Sequence, residues 1–336
     1  MKLRNIFLIL GLIGLCVVVF INLHELNQFF HIISTLRVYV LILIVIAQLF
    51  SYYLNALYYR SILKVFGFRN ITLFRLFQGA MAANFVNYVL PSVGLAGAGF
   101  FSQVLSPEVS RGKGFLVQIM RYVLSGLSAL ILLPVGLSIV LLSGVGSKTV
   151  NELAIYASFI ILGISLAILA AVHQEKWLRS AINFVINRFK RLFSKLKEES
   201  LDKFIDDFFI GYRVMAKRPL DMLVPLCWSI IYIVVEMATI YLTFAAFGRF
   251  VNPGIVIMGY LLANIGSAVG GSLFSIGVFE LTMVGTFVAL GETFALALSV
   301  TLVYRALNLL IGLPPGFVFY HQFLPKGKAK KSSKYM

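Results

Sequence analysis

The chain has 336 residues, of which 60% are hydrophobic and only 12% charged, with a mean hydropathy of +0.93 and a formal charge of +16. This composition excludes an ordinary soluble globule and describes a polytopic, all-α membrane protein. In such a chain an excess of Lys and Arg marks the cytoplasmic loops. That assignment takes precedence over nucleic-acid binding, for which no motif is present.

Lys2 and Arg4 precede an apolar run over 5–22. No small-residue cleavage site follows, so the run is expected to be a retained first helix with its N-terminus in the cytoplasm. A loop over 23–36 carries His24, Glu25 and His31. A second helix is predicted over 37–58, with Tyr58 and Tyr59 as interface anchors. The segment 60–75 holds Arg60, Lys64, Arg69 and Arg75 without an acid, which places it in the cytoplasm.

Residues 76–105 are apolar and long enough to cross a bilayer, yet they are interrupted. Asn84, Asn87 and Pro91 break the stretch, and Gly94, Gly97 and Gly99 loosen it. Unpaired backbone at membrane depth is tolerated only where protein or a wet cavity covers it. The expectation is a helix–break–helix element that enters and leaves on one side, because Arg111 and Lys113 again mark the cytoplasm after it.

A helix over 115–142 carries Arg121 and Pro134. Six to eight residues into its segment, Arg121 is near enough to an end to snorkel. A further helix over 153–172 closes the first half, 1–172. Residues 173–221 change character. Apolar stripes at Leu178, Ile182, Val185, Phe189, Leu192 and Leu196, then at Leu201, Phe204, Ile205, Phe208, Phe209 and Tyr212, alternate with many charges. They describe amphipathic helices on the cytoplasmic membrane surface. A small helical hairpin packed on itself is the alternative.

The second half, 222–322, begins with a helix over 222–247 bearing Glu236, followed by an external turn at Asn252-Pro253. A second broken element spans 254–290, interrupted by Gly270, Gly271 and Gly277. A last helix over 293–320 carries Arg305, Asn308 and Pro314-Pro315, and the tail 323–336 is basic and cytoplasmic.

The two broken elements are related. At an offset of 180, Gly79, Ala83, Asn84, Val89, Ser92 and Gly97 correspond to Gly259, Ala263, Asn264, Val269, Ser272 and Gly277, six identities over 79–97. Interrupted segments at matching places in two halves point to a transporter's central site. Glycine-rich packing faces on ordinary helices are the plainer account. If both elements are re-entrant, all basic clusters fall on one side and the halves are inverted.

Arg121, Glu236, Glu280 and Arg305 lie inside apolar segments, where a charge needs a partner or a wet cavity. The guanidinium groups of Arg121 and Arg305 match phosphate geometry. Glu280 could pair with an arginine, bind a cationic headgroup or take up a proton. An Arg–Glu pair that only fixes helix packing is the alternative. Asn84, Asn87 and Asn264 would cap broken backbone or line the cavity.

Other chemistry is thin. The four histidines lack metal-ligand spacing, so no metal and no cofactor is expected. Cys16 and Cys227 fall in apolar segments and are expected to be small buried hydrophobes.

Asn87-x-x-Leu90-Pro91 followed by Gly94 and Gly97, and Gly277-Val278-Phe279-Glu280 followed by Gly291 and Arg305, carry a resemblance over about 5–320. The chain resembles the membrane region of lysylphosphatidylglycerol synthases, the flippase part of the multiple-peptide-resistance factors, and its stand-alone relatives. It departs from them in Ala96-Gly97-Ala98-Gly99-Phe100, where they have a more regular Pro-x-x-Gly-Gly turn, and in Gly271-Ser272, where they open with proline. The resemblance implies a lipid flippase of the cell (cytoplasmic) membrane that takes an anionic phospholipid or a polyprenyl-phosphate-linked sugar through a cavity between inverted halves. The site would comprise Asn84, Asn87, Pro91 and Gly94 from one half and Gly271, Gly277 and Glu280 from the other, with Arg121 and Arg305 on phosphate and Glu236 nearby. No aminoacyl-transferase domain follows in this sequence, so lysyl transfer is not expected of it. A membrane glycosyl or headgroup transferase, and a non-transporting scaffold for a lipid-modifying synthase, are the alternatives. A homodimer and such a synthase are the candidate protein partners.

Overall fold

The computed structural model describes residues 37–89, 94–144, 206–214 and 217–324, with scattered positions between 152 and 180. The expected first helix, the loop 23–36, Pro91, Cys16, nearly all of 173–205 and the basic tail lie outside the described residues. All regular structure among the described residues is helical. Four of the helices are long and apolar enough to cross a membrane, so this is a multi-pass membrane protein.

Helix α1 covers Val38–Val65. It continues about two turns past the predicted end because nothing breaks it before Gly67, whose φ of 87° lies in the left-handed region. Tyr58 and Tyr59 are therefore not interface anchors. Both are buried, with Tyr59 stacked on Phe101 at 4.2 Å. Helices α2, Leu73–Val89, and α3, Leu95–Leu105, follow. Helix α4 runs over Arg111–Leu142. A 3-10 turn at Pro219–Met222 leads into α5, Leu223–Ala246. Helix α6 is helical over Pro253–Ala289, and α7 covers Phe294–Phe323. Asn252 caps α6 by accepting from the Gly254 N–H at 2.8 Å, with Pro253 at the first helical position, so the predicted turn falls where expected.

Both broken elements are hairpins. In the first, Arg75 and Glu108 pair at 2.6 Å at the open end, and near the tip the Asn87 carboxamide oxygen accepts from the Gly97 N–H at 2.8 Å. A Cβ on Gly79 would stand 3.1 Å from Val104, which fixes how closely the two arms pass. In the second, a Cβ on Gly259 would enter the ring of Phe287, and one on Gly266 would lie 2.8 Å from the Thr282 hydroxyl. A straight helix would put Gly259 and Phe287 about 42 Å apart at ~1.5 Å per residue. The chain therefore folds back between its arms, Pro253–Ala268 and Gly277–Ala289. Gly277, at φ 102°, opens the second arm in a conformation that L side chains rarely adopt. Gly271 lies on 269–276, where only the backbone is described.

The hairpins open toward opposite ends of the molecule. Arg37 N–H bonds the Ala246 carbonyl at 2.8 Å and Gln48 reaches Glu236, so α1 and α5 are antiparallel. The end of α1 and the start of α5 therefore share one face. That face also holds the open end of the first hairpin and, through Gln78–Gln322 at 3.2 Å, the end of α7. Arg60, Lys64, Arg69, Arg75, Arg111, Lys113, Lys217 and Arg218 all lie there. The second hairpin opens at the other face, where Gly254 meets the Gly136 carbonyl near the end of α4. Each hairpin sits in a core of its own, the first among α1 and the start of α4, the second among α5, α7 and the end of α4.

Glycines make the close approaches. Gly114 on α4 faces the Ser102 backbone, and Gly316 on α7 faces the Met81 carbonyl. Helices in lipid gain little from apolar burial alone, so such contacts carry much of the packing. Two expectations change. Phe208 and Phe209 are buried in the first core, with Gly211 against Leu116, so the described part of the second stripe packs into the protein. Cys227 is exposed on the outer side of α5 rather than buried, because the apolar exterior of a membrane helix accepts a thiol as readily as its interior does.

Gly259→Ala should lower stability by about 1–3 kcal/mol, because its methyl group overlaps Phe287. Gly285→Ala, with nothing near its added methyl, should be neutral or raise stability by up to about 1 kcal/mol through helix propensity. Thermal unfolding of the two purified variants in the same detergent checks the contrast.

Candidate functional site

Three charges lie near mid-depth. Arg121 is ten residues into α4, Arg305 eleven residues into α7, and Glu236 ten residues before the end of α5. At ~1.5 Å per residue each stands about 15 Å from an end, half of a ~30 Å hydrocarbon core. Because α4 starts at Arg111 rather than 115, Arg121 is deeper than the sequence suggested, and it does not snorkel.

Arg121 occupies a tyrosine cage. Its guanidinium carbon lies 5.3 Å from the ring centre of Tyr59, 5.8 Å from that of Tyr122 and 5.9 Å from that of Tyr232. Its Nε donates to Asn55 Oδ1 at 3.1 Å. Among the described residues no acidic side chain lies within ion-pair distance of it. The cage is held by a chain of hydrogen bonds. Tyr59 donates to Gln118 Oε1 at 2.5 Å, Gln118 Nε2 to the Tyr122 hydroxyl at 3.2 Å, and Tyr122 to the Gly94 carbonyl at 3.4 Å. That last bond ties the cage to the tip of the first hairpin. Gly94 has φ 80°, and a Cβ there would collide with the Tyr122 hydroxyl, so both conformation and space require glycine.

Arg305 is held differently. Its Nε donates to Glu280 Oε1 at 2.6 Å and its guanidinium stacks on Phe279 at 4.6 Å. The other carboxylate oxygen, Glu280 Oε2, accepts from the Gly277 N–H at 2.7 Å. Glu280 thus reaches back three residues to cap the first N–H of its helix arm, half of a capping box, while also neutralising Arg305. Tyr88, near the tip of the first hairpin, stands beside Arg305, so the two tips approach each other at this arginine.

Glu236 is 3% exposed. One of its oxygens accepts from Ser51 and from Gln48 Nε2, and the other from the Tyr304 hydroxyl at 2.9 Å. Its partners are neutral donors from α1 and α7. Tyr232, one turn before Glu236 on α5, presents its ring to Arg121, and the Arg121 charge is near enough to act on this carboxylate electrostatically without an ion pair. The predicted residues therefore divide into two connected groups, Asn87, Gly94 and Arg121 about one tip and Gly277, Glu280 and Arg305 about the other, with Glu236 joining α1, α5 and α7 between them. Asn87 caps backbone, as one sequence alternative held. Asn264 instead bonds the Tyr260 carbonyl on its own helix at 2.7 Å, and Asn84 is half-buried on α2.

Sequence reasoning missed Gln48, Ser51, Asn55 and Tyr59 on α1, and Gln118, Tyr122, Tyr232 and Tyr304. Spacings of three and four put 48, 51, 55 and 59 on one face of an otherwise apolar helix. The same rule joins Gln118 to Arg121 and Tyr122, and Tyr232 to Glu236. That polar stripe was the available signal.

A family model described as the lysylphosphatidylglycerol synthase TM region matches residues 6–316 of the chain. No curated protein and no solved structure matches it.

Arg305→Met should cost about 3–5 kcal/mol, since it leaves Glu280 buried without its cation. Arg305→Met combined with Glu280→Gln should cost less than Arg305→Met alone, because the glutamine oxygen still caps Gly277 and carries no charge. A double-mutant cycle of thermal unfolding in detergent measures this, and simple additivity of the two single effects would show that the pair is not coupled.

Proposed function

The chain belongs to the lysylphosphatidylglycerol synthase TM region family, and we propose that it translocates an anionic lipid, with the headgroup passing between the two inverted hairpins. The substrate is a phospholipid or a polyprenyl-phosphate-linked sugar. The observation that carries this reading is Arg121, a cation at mid-depth with a neutral cage and no acidic partner among the described residues. Carrying a phosphate across ~30 Å of hydrocarbon needs a fixed positive charge at the point of highest cost. A guanidinium with a free edge supplies it and bonds phosphate in bidentate fashion.

Arg305 is the second cation. Glu280 neutralises it at rest, so it becomes available to phosphate only when that pair opens. Arms shorter than a membrane span, returning to the face they came from, support re-entrant hairpins. Asn84, Asn87, Pro91 and Gly94 then shape one side of the path and Gly271, Gly277 and Glu280 the other, with Glu236 holding the wall behind them. By the positive-inside rule the basic face is cytoplasmic and the chain is a protein of the cell membrane.

The test is lipid translocation by the purified chain in liposomes, with labelled phosphatidylglycerol and a labelled polyprenyl phosphate offered separately. Arg121→Gln, in a form whose melting temperature stays near the parent's, should slow transport by about 10–100-fold, as expected for losing a charge-assisted bond pair worth about 1.5–3 kcal/mol. Transport at the parent rate by folded Arg121→Gln would overturn the assignment. Recovery of a chemically altered lipid would replace transport by headgroup transfer.

A further inference from the structure

Away from the central path, a cavity of about 330 Å³ opens at the basic face between the last turns of α1 and the start of α5. Its apolar lining is Leu57, Val65, Val224 and Trp228, and its cations are Arg60 and Lys64. These two are four residues apart and so share one side of α1. Tyr59 and Arg60 are consecutive and about 100° apart around the helix, so Tyr59 faces Arg121 while Arg60 turns to this cavity. The two sites are separate.

The state of Arg60 marks the cavity as a binding site. Its side chain is half-buried, and its Nε is buried without a hydrogen-bond partner. Among the described residues it forms no ion pair, and neither does Lys64. Ser61, on the same lining, spends its hydroxyl proton on the Tyr58 carbonyl at 2.6 Å, which leaves the two cations and the Trp228 indole N–H as the side-chain donors of the lining. Asp221 is the one acid in the lining, so the charge there remains positive by one. Buried guanidinium donors are normally paired, and a planar fork beside an ammonium is complementary to a phosphate oxygen cluster.

We infer that this cavity binds a phosphate group, carried by an anionic phospholipid of the adjoining leaflet, at a site distinct from the translocation path. The apolar lining favours the lipid as the bearer of that phosphate, since the glycerol and upper acyl carbons would lie on Leu57, Val224 and the Trp228 ring. Tryptophan at a helix end is at home in this interfacial zone, and basic pockets between helix ends suit anionic headgroups. The volume, about ten waters' worth, accommodates a headgroup and not the tails. The site stands whether or not the central path moves lipid.

Trp228 supplies the readout. The chain has two tryptophans, so Trp177→Phe leaves Trp228 as the sole emitter. The full chain carrying Trp177→Phe is placed in phosphatidylcholine nanodiscs, and Trp228 emission is followed as phosphatidylglycerol replaces part of the lipid, or as inorganic phosphate is added. A saturable change with phosphatidylglycerol is expected, with its midpoint shifted at least fivefold by Arg60→Gln and by Lys64→Gln. Arg69→Gln, an exposed basic-face residue outside the cavity, should leave the midpoint unchanged and so separates binding from general surface charge. Lys64 is exposed, so its variant reports even if Arg60→Gln fails to fold. A response to phosphatidylglycerol alone assigns the lipid, and a matching response to inorganic phosphate assigns the free anion. No response to either, or equal midpoints in the parent, Arg60→Gln and Lys64→Gln, would overturn the site.

Discussion

A backbone N–H cannot stand unpaired in hydrocarbon, and the side-chain caps at the two hairpin tips meet that demand at two breaks. An intact helix satisfies its own backbone. A helix interrupted at mid-depth exposes the first N–H groups of its second arm, where water is scarce. This chain answers with a side chain at each break. Asn87 crosses the first hairpin to reach Gly97 N–H, and Glu280 reaches back within its own arm to Gly277 N–H. Gly97 and Gly277 correspond at the 180-residue offset, so the two halves place the same glycine at the same structural problem.

The answers differ in charge, and the difference decides what each arginine can do. Asn87 is neutral, so the cap at the first tip brings no counter-ion to Arg121. Glu280 is a carboxylate, so the cap at the second tip also holds Arg305 at 2.6 Å. Among the described residues no acid stands within ion-pair distance of Arg121, and the three tyrosine rings and Asn55 are its direct contacts. Such an environment tolerates the charge without neutralising it, as the proposed contact with phosphate requires. The Arg305–Glu280 pair is nearly neutral as a unit and is suited to holding the second arm in place.

Much of this was legible in the sequence, and the reasons are physical. Proline, asparagine and glycine in apolar runs are costly unless they do something, so both interruptions stood out at their places. Basic residues sort to one face, so the same-side return of the first element could be read from Arg75 and Arg111 before any contact was known. What could not be read was which donor meets which acceptor. Composition gives no sign that Glu280 serves a backbone N–H three residues behind it, or that Tyr59 and Tyr122 turn inward rather than to the interface. Tyrosine suits both settings, and only the continuation of α1 to Val65 puts Tyr58 and Tyr59 within the packed interior. The α1 stripe of Gln48, Ser51 and Asn55 was available as a pattern, but each of these residues alone is common in membrane helices.

The inverted arrangement also explains why the clamps between hairpins and helices rest on glycine. Each hairpin enters a space already occupied by α4 and α7, and it must do so from opposite faces in the two halves. Helix α4 therefore meets the first hairpin near its beginning, at Gly114, and the second near its end, at Gly136. Helix α7 meets the first hairpin near its own end, at Gly316. Side chains at these crossings would hold the arms apart and leave the tips short of each other. With the backbones in contact, Tyr88 from one tip reaches Arg305 beside the other.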